Sequence, residues 1–149
     1  MGASLIWSVL FYQELNTATR VYAAYEGADL AGVLMIRMAH EKPVDYSVGK
    51  QVIITVGKAV QRLVTGRKDA YSMANEKMLA AYRQEKVPDS ELNFFAVNPQ
   101  HKGQGVGSFL LATAVKDLHD QEIYLYTDSF CSYQFYDHRG FEQFAASPL

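Results

Sequence analysis

The sequence predicts one α/β domain over residues 1–149, in which helices flank a β-sheet. β-Branched and aromatic residues dominate residues 20–38 on both sides of a turn sequence, which is typical of a β-hairpin. At residues 91–118 an apolar run, a glycine-rich turn and apolar residues at helical spacing follow in that order. The composition, 49% hydrophobic and 20% charged over 149 residues, is that of a single globular domain.

The N-terminal elements are predicted to be a helix and a hairpin. Apolar residues recur at helical spacing from Leu5 to Leu15, and the polar Asn16 and Thr17 favour the end of that helix. The runs RVYAAYE and LAGVLMIRM are separated by a turn sequence at residues 26–29. They predict two antiparallel strands.

Two helices are predicted within residues 41–90. The first begins near Ser47 and ends near Gly66, with Ile53, Val56, Val60 and Leu63 on one face. The second opens at Asp69 and ends before Pro88, with Tyr71, Ala74, Met78 and Tyr82 on one face. This second face is interpreted as core. If it lines a cleft instead, the pocket would be aromatic.

The C-terminal half alternates strands and helices. A strand is predicted at residues 91–97, a helix from Val106, and another strand at EIYLYT. Residues 129–136 follow as a helix that Gly140 ends, and FEQF adds a short final strand.

Charge and cysteine content exclude several classes of protein. A net charge of −2 gives no broad cationic surface for nucleic acid. Cys131 is the single cysteine and cannot form an internal disulfide, which fits a cytoplasmic location. It is interpreted as an inert, small apolar residue. The apolar SLIWSVLF is far short of the ~20 residues of a membrane-spanning helix. We therefore expect no membrane association.

The four histidines do not predict a metal site. They stand at His40, His101, His119 and His138 without metal-ligand spacing, and no second cysteine is present to join them. No metal is expected. His101 borders the glycine-rich turn and is interpreted as an exposed loop histidine rather than a phosphate ligand.

The glycine-rich turn HKGQGVGS indicates a phosphate site. A strand, a turn and a helix in this order present free backbone N–H groups at the positive end of the helix. Glycines at 103, 105 and 107 let a pyrophosphate approach the backbone. The alternative is that these glycines only permit a tight turn and close helix packing.

Two other phosphate motifs fit this turn less well. A Walker loop needs a Gly-Lys-Ser/Thr tripeptide, which the sequence lacks. The dinucleotide fingerprint needs its third glycine three positions after the second, whereas Gly107 follows Gly105 by two. It remains a weak alternative.

Three blocks occur in order along the chain: FAVNPQHKG, the glycine turn and FYDHRGFEQF. Together they resemble the GNAT superfamily of acyl-CoA-dependent N-acyltransferases. Lys102-Gly-Gln-Gly-Val-Gly107 is similar to the Gln/Arg-x-x-Gly-x-Gly/Ala signature, with Lys in place of Gln or Arg. FAVNPQHKG is similar to the strand ending in Val-x-Pro, and FYDHRGFEQF to the closing Tyr-x-x-x-Gly-Phe segment. The resemblance covers about residues 20–145. It implies a mixed, mostly antiparallel sheet, here with a two-helix insertion at residues 41–90 and a short N-terminus.

The resemblance also implies the donor and its contacts. The donor would be acetyl-CoA, whose pantetheine arm pairs with the backbone of a splayed strand and whose pyrophosphate lies on the glycine turn. The residues matching these contacts are Phe95, Ala96, Val97, Lys102, Gly103, Gln104, Gly105, Val106, Gly107, Ser108 and Ser129.

For the chemistry, the resemblance implies Tyr136 as the general acid for the departing thiolate and Glu91 as the base. A phenol is a suitable proton donor because its pKa of ~10 keeps it protonated at neutral pH. For Glu91 a solvated carboxylate at a strand end is the alternative. The acceptor would be a primary amine of a small molecule or peptide, acetylated directly in a ternary complex. A non-catalytic acyl-CoA-binding or interaction module is the alternative function, and a homodimer that rebuilds the missing N-terminal strand is a further expectation.

Overall fold

A mostly antiparallel sheet forms the centre of the molecule and confirms the predicted α/β class. The structure is a computed structural model that describes residues 14–44, 70–127 and 133–147. Its strands are β1 (Arg20–Glu26), β2 (Asp29–Met38), β3 (Ser90–Val97) and β4 (Ile123–Tyr124). They lie side by side in chain order, antiparallel except for the parallel pair of β3 and β4.

Three helices accompany this sheet in the described part of the chain: α1 (Ala70–Glu85), α2 (Val106–Asp117) and α3 (Tyr133–Asp137). A 3-10 turn at Pro99–His101 joins β3 to the glycines. Residues 14–17 are also helical, which confirms that the first predicted helix ends near Thr17. The rest of that helix, the helix predicted at residues 47–66 and residues 129–132 lie outside the described residues.

The hairpin forms as predicted, because its turn has a glycine where the backbone needs one. Gly27 has φ of 60°, a left-handed conformation that glycine adopts without steric cost. The β1–β2 register shifts at Ala24/Tyr25, and the β2–β3 register shifts at Met35/Ile36, where Asn93 is the extra residue on β3. Asn93 donates from Nδ2 to Glu14 O at 3.3 Å, so the bulge is tied to the preceding helical turn.

Helix α2 packs on the sheet and closes the main core. The buried residues of this core are Leu34, Ile36, Met38, Leu92, Leu110, Leu111, Ala114 and Leu118. Gly32 shows how close the approach is, since a Cβ there would lie 2.9 Å from Leu110 Cδ1 and 3.2 Å from Ala96 O. A glycine inside this strand therefore allows the helix to seat directly on the sheet.

In the C-terminal region, one predicted strand is confirmed only in part and another is wrong. EIYLYT pairs only at Ile123 and Tyr124, and FEQF forms no strand. The rings of Phe141 and Phe144 pack edge-on against tyrosines, at 5.8 Å from Tyr136 and 5.0 Å from Tyr82. The apolar residues of FEQF are therefore used by side-chain packing, without a backbone ladder.

Candidate active site

The exit from β3 is held by one asparagine. The Asn98 N–H donates to Ala31 O at 2.8 Å and its Nδ2 to Leu30 O at 3.2 Å, both on β2. Its Oδ1 accepts from the Gln100 N–H at 3.0 Å and so starts the 3-10 turn. The glycine turn that follows is thereby placed at a defined end of the sheet.

His101 is buried, so its interpretation as an exposed loop histidine is wrong. The side chain is 11% exposed and its Nδ1 lies 2.7 Å from Glu26 Oε2 on the hairpin. Gln104 Oε1 lies 3.4 Å from the same nitrogen. A pairing between residues so distant in sequence leaves no local signal. In the structure, His101 ties the glycine turn to β1.

The three glycines of the turn serve two different purposes. Gly103 and Gly105 both have φ of 82°, and a Cβ at either would meet nothing within 4 Å. Gly107 lies within α2, where a Cβ would be 3.4 Å from Val97 Cγ2 and 3.5 Å from the Phe95 and Phe135 rings. Gly107 therefore allows close packing of the helix, which was the alternative to a phosphate site. Gly103 and Gly105 instead allow the left-handed backbone conformation of the turn.

The turn ends at an uncapped helix N-terminus. Gly105 is the N-cap of α2 and supplies no side-chain hydrogen bond, and the Phe109 N–H bonds to Gly105 O at 2.9 Å. Helix geometry leaves the N–H groups of Val106, Gly107 and Ser108 without intrahelical acceptors. Together with the helix dipole they form an anion-binding arrangement. Lys102 and Gln104 are exposed beside it, and Ser129 lies outside the described residues.

Sequence reasoning missed a cation at this turn, Arg139. Its guanidinium carbon lies 3.6 Å from the centroid of the Phe135 ring, and its Nη1 donates to Phe135 O at 2.7 Å. Its Nη2 donates to Ser108 Oγ in the first turn of α2. The side chain thus holds a positive charge at the uncapped helix end. The only signal in the sequence was its position inside the closing Tyr-x-x-x-Gly-Phe segment.

Strands β3 and β4 separate soon after they pair. Their parallel ladder consists of Ser90 with Ile123 and Glu91 with Tyr124. Beyond it, β3 continues to Val97 while residues 125–127 have no strand partner. This is the splay that the resemblance implied.

The open edge of β3 carries the backbone groups of alternate residues. Asn98 bonds to β2, and backbone groups alternate along a strand, so those of Ala96 face β2 and those of Phe95 and Val97 face the separating β4. The approach of Ala96 O to Gly32 agrees with this direction. Phe95 and Val97 are therefore the residues of this segment that can pair with an extended ligand.

Tyr136 lies beside this open edge, in a cluster of rings. Its ring centroid is 6.4 Å from Phe95, 5.4 Å from Phe135 and 5.8 Å from Phe141. It also lines a cavity of about 590 Å³ whose walls include residues 125–127. The ring of Phe95 therefore connects the helix end, through Gly107, with the tyrosine in the cavity wall.

Glu91 is a buried, paired carboxylate. The residue is 8% exposed, forms an ion pair with Arg37 and accepts from the Tyr124 hydroxyl at 3.2 Å. The alternative of a solvated carboxylate at a strand end is therefore wrong. Tyr124 lines the cavity and Glu91 lies behind it. Burial, and then the charge of Glu91, raise the pKa of Tyr124, which keeps this phenol protonated.

The face of α1 that was interpreted as core lines the same cavity. Met78 and Tyr82 contribute from this helix, Tyr126 from the end of β4 and Phe144 from the C-terminal segment. The Tyr82 hydroxyl donates to Glu122, and burial followed by that hydrogen bond raises the pKa of Tyr82. Burial raises the pKa of Tyr126 to about 12. The pocket is aromatic, as expected if this face lined a cleft.

Two further properties concern only the part of the chain that the structure describes. Within it, no helix is long and apolar enough to cross a membrane. In the same ranges, His, Cys, Asp and Glu form no group of three that could hold a metal ion.

Comparison with known families agrees with the glycine turn, the splayed strands and the closing aromatic segment. A family model described as an acetyltransferase (GNAT) domain matches residues 67–143, just over half of the chain. No curated protein matches the sequence. The matched region contains α1, β3, the glycine turn, α2, β4 and Tyr136. The chain therefore belongs to the GNAT acetyltransferase family.

Proposed function

We propose that the protein is an N-acetyltransferase that transfers the acetyl group of acetyl-CoA to a primary amine of a small molecule or peptide. The observation that carries the proposal is the position of Tyr136, in the cavity wall and packed on Phe95 at the open edge of β3. Acetyl-CoA supplies an activated thioester, and the glycine turn and the open edge supply donors suited to its pyrophosphate and pantetheine.

The donor side would be held mainly by backbone groups. The N–H groups of Val106, Gly107 and Ser108 suit pyrophosphate oxygens, and Arg139 adds a cation beside them. The backbone of Phe95 and Val97 would pair with the pantetheine arm as an added strand. The N–H of Val97 is the donor we assign to the thioester carbonyl, where negative charge develops in the transition state.

The reaction forms an N–C bond and breaks the C–S bond. An alkylamine with a pKa of ~10.4 is mostly protonated at neutral pH, so a base must remove a proton before or during attack. Glu91 would receive this proton through a water or through the hydroxyl of Tyr124. Tyr136 would give its phenol proton to the departing thiolate. The nitrogen gives up its second proton to water as the C–S bond breaks. After the products leave, Glu91 releases its proton to solvent and the phenolate of Tyr136 takes one up, so that one proton is released per turnover.

Acetyl transfer can be tested by release of free CoA thiol from acetyl-CoA over a panel of polyamines, aminoglycosides, amino acids and peptides. We expect turnover with at least one amine and a fall in kcat of about 100-fold in Tyr136→Phe, the size typical of a general acid. Acetyl-CoA affinity should stay the same in this variant. Tyr25→Phe, at a 65% exposed tyrosine of β1, is the matched control.

Equal kcat in Tyr136→Phe and wild type would remove Tyr136 from the mechanism. Acetyl-CoA binding without turnover on any amine would favour the alternative, a non-catalytic acyl-CoA-binding or interaction module. A cytoplasmic location and a homodimer stay predictions. The position of β1 at the edge of the described sheet supports the latter, since an edge strand can pair with a second chain.

A further inference from the structure

The cavity beside Tyr136 has a wall of aromatic rings, here called the aromatic wall. It consists of Tyr82, Tyr124, Tyr126, Tyr136, Phe141 and Phe144. Tyr82, Tyr124, Tyr126 and Phe144 form one group of contacting rings, and Tyr136 and Phe141 form a second. Within each group the centroids of contacting rings are 5.0 to 5.9 Å apart in tilted or edge-on geometry. The faces of such rings carry negative electrostatic potential and attract cations, whether or not the cation also makes a hydrogen bond.

The charges at this cavity are all of one sign among its described lining residues. Asp137 and Glu142 are its charged members, and no Lys, Arg or His belongs to that lining. Behind the wall, Glu122 accepts from Tyr82, and Glu91 is paired with Arg37. The charge of Arg83 also reaches Tyr126. The ligand-facing surface is nevertheless aromatic and acidic, which is complementary to a cation and repels an anion.

An aromatic and acidic surface is not complementary to the attacking amine nitrogen itself. The attacking nitrogen must be neutral, so a surface that stabilises its protonated form would oppose the reaction. The same surface is useful if the acceptor has a second amino group that stays protonated. The aromatic wall and the two carboxylates would then hold the second nitrogen while the first loses its proton near Tyr136.

From this complementarity we infer that the acceptor is an aliphatic diamine or polyamine without a carboxylate. The inference rests on the proposed function, because it names the substrate class of the same site. A carboxylate on the acceptor would lie near Asp137 or Glu142, where like charges repel. The cavity volume of about 590 Å³ is within the usual range for small-molecule sites.

Three acceptors with the same five-carbon chain test the inference by release of free thiol from acetyl-CoA. Pentylamine has one amino group, 1,5-diaminopentane has two, and lysine adds a carboxylate to the diamine. We expect kcat/KM for 1,5-diaminopentane to exceed that for pentylamine by about 10-fold or more, because a cation near aromatic faces and carboxylates is stabilised. Lysine should lose most of this advantage.

The double variant Asp137→Asn with Glu142→Gln tests the carboxylates. It should reduce the ratio of kcat/KM for the diamine to that for pentylamine by about fivefold. Asp120→Asn removes a carboxylate outside the cavity, whose side chain is 84% exposed, and should leave the ratio unchanged. Calorimetric titration of the wild type with 1,5-diaminopentane and with pentylamine gives a second comparison that needs no variant.

The outcomes separate the two proposals. Acetyl transfer that proceeds equally well with pentylamine, or better with lysine, would overturn the inference and leave the proposed function intact. An unchanged ratio in the folded double variant would also overturn it. Acetyl-CoA binding with no transfer to any amine would overturn the proposed function, and the diamine inference with it.

Discussion

The two halves of the site are built in different ways. The glycine turn and the helix end behind it come from one continuous stretch, residues 97–108, and offer mainly backbone N–H groups. The cavity is assembled from α1, β4, α3 and the C-terminal segment, and it offers side chains. A backbone site needs only a local sequence of suitable conformation, whereas a side-chain site needs several distant segments in contact. The glycine turn could therefore be recognised as a sequence motif, and the cavity could not.

The largest expected effect is at the backbone site, and Gly105→Glu is the change that tests it. At φ of 82° any side chain is strained, and a carboxylate at the N-terminus of α2 would repel phosphate. We expect acetyl-CoA affinity to fall by at least about 100-fold by isothermal titration calorimetry.

Two controls separate strain from charge in that variant. Gly27→Ala places a side chain at a left-handed residue of the hairpin turn, with φ of 60°, and should lose stability without losing acetyl-CoA affinity. Gly105→Gln has the strain of Gly105→Glu without its charge and should be intermediate. Intact affinity in the folded Gly105→Glu variant would show that the turn is not the phosphate site.

Arg139→Gln should have a smaller effect, because this cation supplements a site built of backbone groups. We expect about a 5- to 10-fold loss of acetyl-CoA affinity, the order of one partly exposed charge-assisted hydrogen bond. Arg139→Lys keeps the charge but lacks the planar group over Phe135, and should recover part of the affinity.

Truncated ligands show whether Arg139 acts through phosphate. CoA and 3′-dephospho-CoA should both bind more weakly to Arg139→Gln than to wild type. Pantetheine, which has no phosphate, should bind to both proteins with the same affinity. Arg20→Gln on the hairpin, where the side chain is paired with Glu41, controls for net charge. A loss of pantetheine affinity equal to that of CoA would mean that Arg139 only supports Phe135.

The smallest expected effect concerns the side-chain site and appears at alkaline pH. The pKa of Tyr126 is raised to about 12 by burial, ahead of the charges of Tyr124 and Glu91. A tyrosine in the unfolded chain has a pKa of ~10, so above that pH the unfolded chain loses a proton that the folded chain keeps. The stability from this group is full below about pH 10 and is lost as pH rises toward 12.

Unfolding in urea at pH 8 to 11 measures this difference. The alkaline loss of unfolding free energy should be shallower in Tyr126→Phe than in wild type. The difference in this loss between the variant and wild type should stay well below the ~2.7 kcal/mol that two pKa units represent. The reason is that the side chain is partly exposed and solvent screens it. Tyr25→Phe on β1 is the control. Identical pH profiles would mean that the ionisation of Tyr126 is not linked to folding.

Most local elements could be predicted from the sequence, because their signals are contained in a few neighbouring residues. Apolar patterns indicated the strands of the hairpin, α1, β3 and α2, and the structure has each of these elements in the predicted place. Gly27 lies in the turn of the hairpin and Gly105 at the start of α2. The prediction of a C-terminal strand was wrong: FEQF has the alternation of a strand, but it pairs with none of the strands in the described sheet. Its phenylalanines contact Tyr136 and Tyr82 instead.

His101 and Glu91 show the limit of local reasoning more clearly. His101 was expected to be exposed, and for Glu91 a solvated carboxylate was the alternative to a catalytic base, since a polar residue in a loop or at a strand end is usually exposed. Each is buried because a partner of suitable chemistry meets it, Glu26 for His101 and Arg37 for Glu91. Neither partner is near in sequence, so no pattern of neighbours could indicate the pairing.

The sequence by itself determined the hairpin, α1, β3, the glycine turn, α2 and the resemblance to the family, because backbone conformation, periodic burial and short motifs are local properties of the chain. Only the tertiary structure decided which side chains meet. It placed Arg139 at the N-terminus of α2, Glu91 behind Tyr124, and Tyr82 against Phe144 in the aromatic wall. These contacts join segments far apart in the chain, and they exist because burying the common core brings those segments together.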